Sequence, residues 1–149
     1  MATYAWRAGL WYFGGRVKYT KVGYAEAEKS FSPSSLNVDL RGKVYVVTGA
    51  NQGIGKAIAS GLAKRGGRVL MLCRNRERGE TAKTAIANEI AAEDNSNSAS
   101  DPAIAAKQLE VHVVDMSDFQ SINAFVKHFR SEGSLLHGLV NNAGCMLVR

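Results

Sequence analysis

The chain has 149 residues, 46% of them apolar and 21% charged, and a net charge of +6. That length and balance suit one ordinary globular domain with a sizeable core and leave little room for a second. The basic residues are scattered rather than blocked, so nucleic-acid binding is not expected, and no run of about 18 apolar residues is present to span a membrane.

Residues 1–41 read as an N-terminal helical extension. Seven of the twelve aromatic residues fall in the first 24 positions, together with Arg7, Arg16, Lys18 and Lys21, and no acid precedes Glu26. Trp6, Leu10, Phe13 and Val17 share the spacing of one helical face, although Gly14-Gly15 costs such a helix about 1–2 kcal/mol against alanines. Two readings stay open. The helix packs its aromatic side on the domain, or residues 4–24 make a peripheral membrane contact at a headgroup layer or an organelle-targeting segment. No apolar stretch with a small-residue cleavage site follows the charges, so a cleaved secretory signal is not expected.

From residue 42 onward strands and helices alternate. "KVYVVT" (43–48) is a buried strand, and "IGKAIASGLAKRGG" (54–67) a helix with Ile58 and Leu62 inward and Gly66 as its stop. "RVLMLC" (68–73) is a second strand. A second helix over 77–92 carries Ala82, Ile86 and Ile90, and runs into a polar loop over 93–102. "QLEVHVVD" (108–115) is a third strand with an edge-like start. Ser117 and Gln120 form a capping box for a third helix, whose Ile122, Phe125, Val126 and Phe129 face the sheet. "LLHGLVNNAG" (135–144) is a fourth strand ending in a turn. The alternation predicts an α/β, Rossmann-like, doubly wound parallel sheet, whose ligands bind past the carboxyl ends of its strands.

The stretch "YVVTGANQGIG" (45–55) lies at such an end. A strand feeds three glycines that open a helix, whose free backbone N–H groups and positive dipole end favour a pyrophosphate. Gly49 permits the turn, Gly53 lets phosphates approach the backbone, and Gly55 lets helix and strand pack closely. A triphosphate-binding P-loop fits poorly, since Ala50 stands where its first glycine belongs and Ala57 where its magnesium-binding hydroxyl belongs. After the second strand, where an NAD site carries an acid for the ribose, the chain has Cys73, Arg74, Asn75 and Arg76. Arg74 suits a 2'-phosphate, which favours NADP(H) over NAD(H). Cys73 and Cys145, with His112, His128 and His137, fit neither a disulfide framework nor a metal-ligand set. No metal is expected, and the reading is an intracellular protein, cytoplasmic before mitochondrial or membrane-associated.

Taken together, "TGANQGIG", "DMSD" (115–118) and "NNAG" (141–144), in that order and spacing, resemble the short-chain dehydrogenase/reductase family. The "CRN" after the second strand is similar to NADP-preferring members near the retinol dehydrogenases, and the aromatic N-terminus extends the likeness across nearly all of the chain. The resemblance implies cofactor contacts from Gly49, Asn51, Gly53, Ile54 and Gly55, an adenine contact from Asp115, and a structural and cofactor role for Asn142, Ala143 and Gly144. It also implies a proton-donating tyrosine in a Tyr-x-x-x-Lys pair with an upstream serine. No tyrosine here is followed four positions on by lysine, so no catalytic residue is nominated. The family strand order, 3-2-1-4-5-6-7, would leave the fourth strand as an exposed edge. The expectation is thus a cofactor-binding N-terminal part of an NADP(H)-dependent oxidoreductase acting on a hydroxyl or carbonyl substrate, truncated after about four strands as a fragment, splice product or incomplete gene model. The alternative is a non-catalytic NADP(H)-binding or regulatory protein.

Overall fold

The computed structural model describes residues 2–93 and 106–144. The polar loop predicted over 93–102 therefore lies, beyond Glu93, outside the described residues, as does Cys145. The chain divides into two compact units, Met1–Asn37 and Val38–Arg149.

In the first unit, α1 (Ala2–Lys18) runs without a break through Gly14-Gly15 and is followed by α2 (Lys21–Glu28) and a 3-10 turn (Pro33–Leu36). α1 and α2 touch, yet Trp6, Leu10, Phe13 and Val17 all stay exposed.

Among the described residues the second unit holds a four-stranded parallel sheet of order β3-β2-β1-β4, with β1 at Val44–Thr48, β2 at Arg68–Cys73, β3 at Leu109–Val113 and β4 at Gly138–Val140. β1 and β2 are central and apolar almost throughout because both of their faces are covered. The order reverses between β1 and β4. This is the switch point of a doubly wound sheet, and the glycine turn leaves β1 there.

One face carries α3 (Gly53–Ala63) and α4 (Arg76–Glu93), which pack on β1, β2 and β3. Its core joins Val47, Val69, Met71 and Leu109 to Ala59, Ala63, Ala82, Ile86 and Ile90. The buried residues of α3 are small ones, Gly55, Ala59, Ser60 and Ala63, while Ile58 and Leu62 are only half-buried along the flanks. Ile58 and Leu62 thus turn toward the core as expected, packed against its margin rather than buried within it.

The other face buries Val44, Val46, Leu70, Leu72 and Val114, with Ile122, Phe125 and Phe129 of α5 (Phe119–Ser131) laid against them. Val126, assigned to that face, is instead 36% exposed, and α5 has no buried residue. Its N-cap is also displaced from the predicted Ser117. Asp118 accepts the Gln120 N–H at 2.8 Å, while Ser117 is engaged by Asp115. β4 is three residues within the stretch 135–144 predicted to hold the strand and its closing turn. Leu135 and Leu136 precede it as exposed residues, and Leu139 is exposed on what is, among the described residues, an edge strand.

Candidate functional site

All four strands end on the same side, which places four short segments in one row: the turn after Thr48, Arg74 after β2, Val114-Asp115 after β3 and Asn141-Asn142 after β4. The turn is shaped by its backbone. Gly49 has φ +66° and Gly53 φ +55°, the left-handed region that side-chain-bearing residues seldom enter. A Cβ on Gly53 would meet nothing within 4 Å, so its outer side is open to a ligand. A Cβ on Gly55 would collide with the Gly49 carbonyl and come within 2.5 Å of Asn142 Nδ2, so this position is closed by contact. Gln52 caps α3 with extended backbone and no side-chain bond, so its side chain satisfies none of the first-turn N–H groups of the helix.

Asn142 locks the turn from across the switch point. Its Nδ2 donates to the carbonyls of Thr48 at 2.9 Å and Gly49 at 3.3 Å. In return the buried Thr48 hydroxyl accepts the backbone N–H groups of Asn142 and Ala143, each at 2.9 Å, and donates to the Val140 carbonyl at 3.3 Å. Gly49 N–H extends the β1–β2 pairing to Leu72 O at 2.8 Å. The structure thus brings Gly49, Gly55, Asn142 and Ala143 into direct contact. Thr48 was missed in the sequence, where it served only as the end of a strand. The available signal was a hydroxyl closing an apolar run directly before a turn glycine, where unpaired backbone groups need a partner.

The remaining predicted residues surround this knot. Ile54 projects into solvent from the first turn of α3, and Gly144 is exposed with open space at its Cβ. Asn51, Gln52 and Lys56 line one wall of a cleft of about 510 Å³, and Asn75 and Arg78 line the other. Asn75 fixes the second wall by accepting the Arg78 N–H at 2.9 Å at the start of α4. Arg74 is exposed beside this cleft in sequence and lies within electrostatic reach of Asp115. Asp115 Oδ1 accepts both the N–H and the hydroxyl of Ser117, at 2.9 and 2.6 Å, and these bonds, then the Arg74 charge, hold its carboxyl below the usual range. Cys73 is a buried free thiol whose pKa burial pushes up, which disfavours the reactive thiolate. Among the described residues no group of three or more His, Cys, Asp or Glu side chains is arranged to hold a metal.

The arrangement can hold an extended diphosphate against backbone N–H groups with a cation to one side. Comparison with known proteins gives the same direction. The family model described as short chain dehydrogenase matches residues 43–149. Dehydrogenase/reductase SDR family member 12 of Homo sapiens is 42% identical over 142 residues, which cover 95% of this chain and 40% of that protein. Retinol dehydrogenase 12 of Mus musculus is 47% identical over 113 residues, covering 76% of this chain and 31% of that protein. The chain therefore spans well under half the length of these curated relatives. Among solved structures, a metagenomic short-chain oxidoreductase in complex with NADP superposes with a TM-score of 0.55 and 35% identity, covering 71% of this chain and 41% of that one. The C-domain of a bacterial malonyl-CoA reductase, with NADP, superposes at 0.59 with 27% identity over 74% of this chain and 16% of that one.

Proposed function

The chain belongs to the short-chain dehydrogenase family, and from that premise we propose that it is the NADP(H)-binding N-terminal part of an oxidoreductase that acts on a hydroxyl or carbonyl substrate. The observation that carries this reading is the glycine turn fixed from behind by Asn142 and Thr48 while its Gly53 side stays open. Gly49, Gly53, Ile54 and Gly55 would hold the diphosphate, with Asn51 and the cleft beside it next to the adenosine ribose. Arg74 stands where an acid would select NAD(H), so it would pair with the 2'-phosphate. Asp115, kept ionised and oriented by Ser117, would meet the adenine amino group, and Ala143 and Gly144 would border the cofactor on the β4 side. When bound, the cofactor supplies hydride exchange with a carbonyl carbon. The chain's own residues bind and orient it. The buried free Cys73 agrees with an intracellular, reducing location.

Calorimetric titration of the chain with NADP+ and NAD+ tests the reading. A charge-assisted bond to the 2'-phosphate predicts NADP+ binding tighter by about tenfold or more, a margin that Arg74→Ala removes while leaving NAD+ affinity unchanged. Equal affinities would remove the NADP preference, and binding of neither would remove the cofactor assignment. A second reading, nucleotide binding without turnover, draws on the absence of any Tyr-x-x-x-Lys in the 149 residues. Both readings expect no NADPH oxidation from these residues alone; a stable monomer that binds NADP+ favours the second, and an insoluble chain favours the first.

A further inference from the structure

The first unit carries chemistry that the glycine turn does not use. At about 100° per residue, Trp6, Leu10, Phe13 and Val17 of α1 fall within a stripe about 60° wide. On the same count Arg7 and Lys18 lie roughly 90–110° to one side of its centre and Arg16 about 90° to the other. The stripe is open: Trp6 is 71% and Phe13 70% exposed, with Leu10 and Val17 also exposed. Lys21 follows, and no acidic residue occurs before Glu26, so the positive flanks have no internal counter-charge over that stretch. The corner between α1 and α2 is tied by Thr20 Oγ1, which donates to the Arg16 carbonyl at 2.7 Å, and by Tyr19 N–H on the Gly15 carbonyl at 2.8 Å. Gly23 closes it, since a Cβ there would collide with the Lys18 carbonyl. α2 then adds exposed Val22 and Tyr24.

We propose that residues 6–24 form an interfacial anchor that lies flat on a bilayer surface bearing anionic headgroups. The Trp6–Leu10–Phe13–Val17 stripe enters the boundary of the acyl chains, while Arg7, Arg16 and Lys18 extend sideways to lipid phosphates. Cations on both sides of an apolar stripe, without an interspersed acid, match a planar surface of one charge sign. The helix does not span. Its 17 residues reach about 26 Å at about 1.5 Å each, short of a hydrocarbon core of about 30 Å, and no helix among the described residues is long and apolar enough to cross a membrane.

The chain's two tryptophans, Trp6 and Trp11, are both in α1, so tryptophan emission reports this helix and nothing else. The full chain is floated with vesicles of phosphatidylcholine alone and of phosphatidylcholine with about one third phosphatidylglycerol. The expected result is binding at least about tenfold stronger to the anionic vesicles, weakened by salt, with blue-shifted emission that brominated acyl chains quench. Trp6→Ser with Phe13→Ser should abolish the association. Arg7→Gln, Arg16→Gln and Lys18→Gln together should bring anionic vesicles down to the neutral level, with NADP+ titration and urea midpoint unchanged in both variants. The proposal is overturned by the absence of flotation, by binding that persists in the serine variant, or by equal binding to both vesicle types. It is also overturned if the blue shift arises without lipid as chain concentration rises, because a second copy would then be the stripe's partner.

Discussion

On the face covered by α3 and α4, sheet and helices meet through alanine, glycine and aliphatic side chains, and Val47, Val69, Met71, Ile86 and Leu109 are fully buried. On the face covered by α5 the contact is made by aromatic rings instead. Phe125 and Phe129 stack at 6.2 Å between centroids, Phe119 and Val126 remain exposed, and polar groups lie under the helix. Arg68 there pairs with Glu110 at 2.6 Å and Glu132 at 3.0 Å, and His112 lies edge-on to Phe125, with Glu110 Oε2 at 3.8 Å and the His128 ring at 5.7 Å. The same strands therefore present a close-packed side, which sets the position of the glycine turn, and a looser side that tolerates charge. Small residues bring a helix close enough for its first turn to share contacts with β1. Large ones hold it off.

The strongest way to break this contrast is to remove volume from each face. Ile86→Ala should cost about 2–5 kcal/mol in urea unfolding, because neighbours at 0% exposure cannot collapse into the gap, whereas Val126→Ala should cost about 1 kcal/mol or less. Comparable losses would show the two faces to be equally packed. Adding volume comes next. Gly55→Ala drives a Cβ into the Gly49 carbonyl and Asn142, so stability should fall by about 1–3 kcal/mol and NADP+ affinity by about a hundredfold or more, while Val126→Ile changes neither. An unchanged titration for Gly55→Ala would mean that the turn shifts freely.

The smallest effect sharpens the polar side. Burial holds the His112 imidazole below its ordinary 6.5, opposed by Glu110 and Glu132 and reinforced by His128, and its buried Nε2 has no hydrogen-bond partner among the described residues. The unfolded chain takes up this proton first. His112 therefore leaves stability intact above about pH 6.5 and erodes it as pH falls from there toward the depressed folded value, by at most about 1.4 kcal/mol per pH unit. Urea midpoints from pH 8 to 5 should show a shallower acid limb in His112→Leu. An unaltered limb would assign the acid sensitivity to other groups.

This contrast also explains what could be read from the residues alone. β2 was found at its observed limits and β1 to within one residue because strands covered on both faces are apolar without interruption, and the three motifs landed at one sheet end because parallel strands must end together. The errors lie where burial is partial. Leu135 and Leu136 lengthened β4 on paper since an exposed leucine carries the same letter as a buried one. Val126 kept helical spacing but sits off the contact line of α5, and the choice between Ser117 and Asp118 as cap turns on Asp115 claiming the serine, a local competition that spacing does not encode. Thr48 escaped notice because its partners lie more than 90 positions away.

That separation has a consequence for timing. The bond from Asn142 N–H to the Thr48 hydroxyl bridges 94 positions, so a chain emerging from the ribosome holds the complete glycine motif long before it can rigidify it. Closing so wide a loop is slow relative to the local helix and strand contacts that precede it. The glycine turn is therefore rigidified late, when β4 seats beside β1, and a nascent polypeptide ending before that point would carry the motif without its brace.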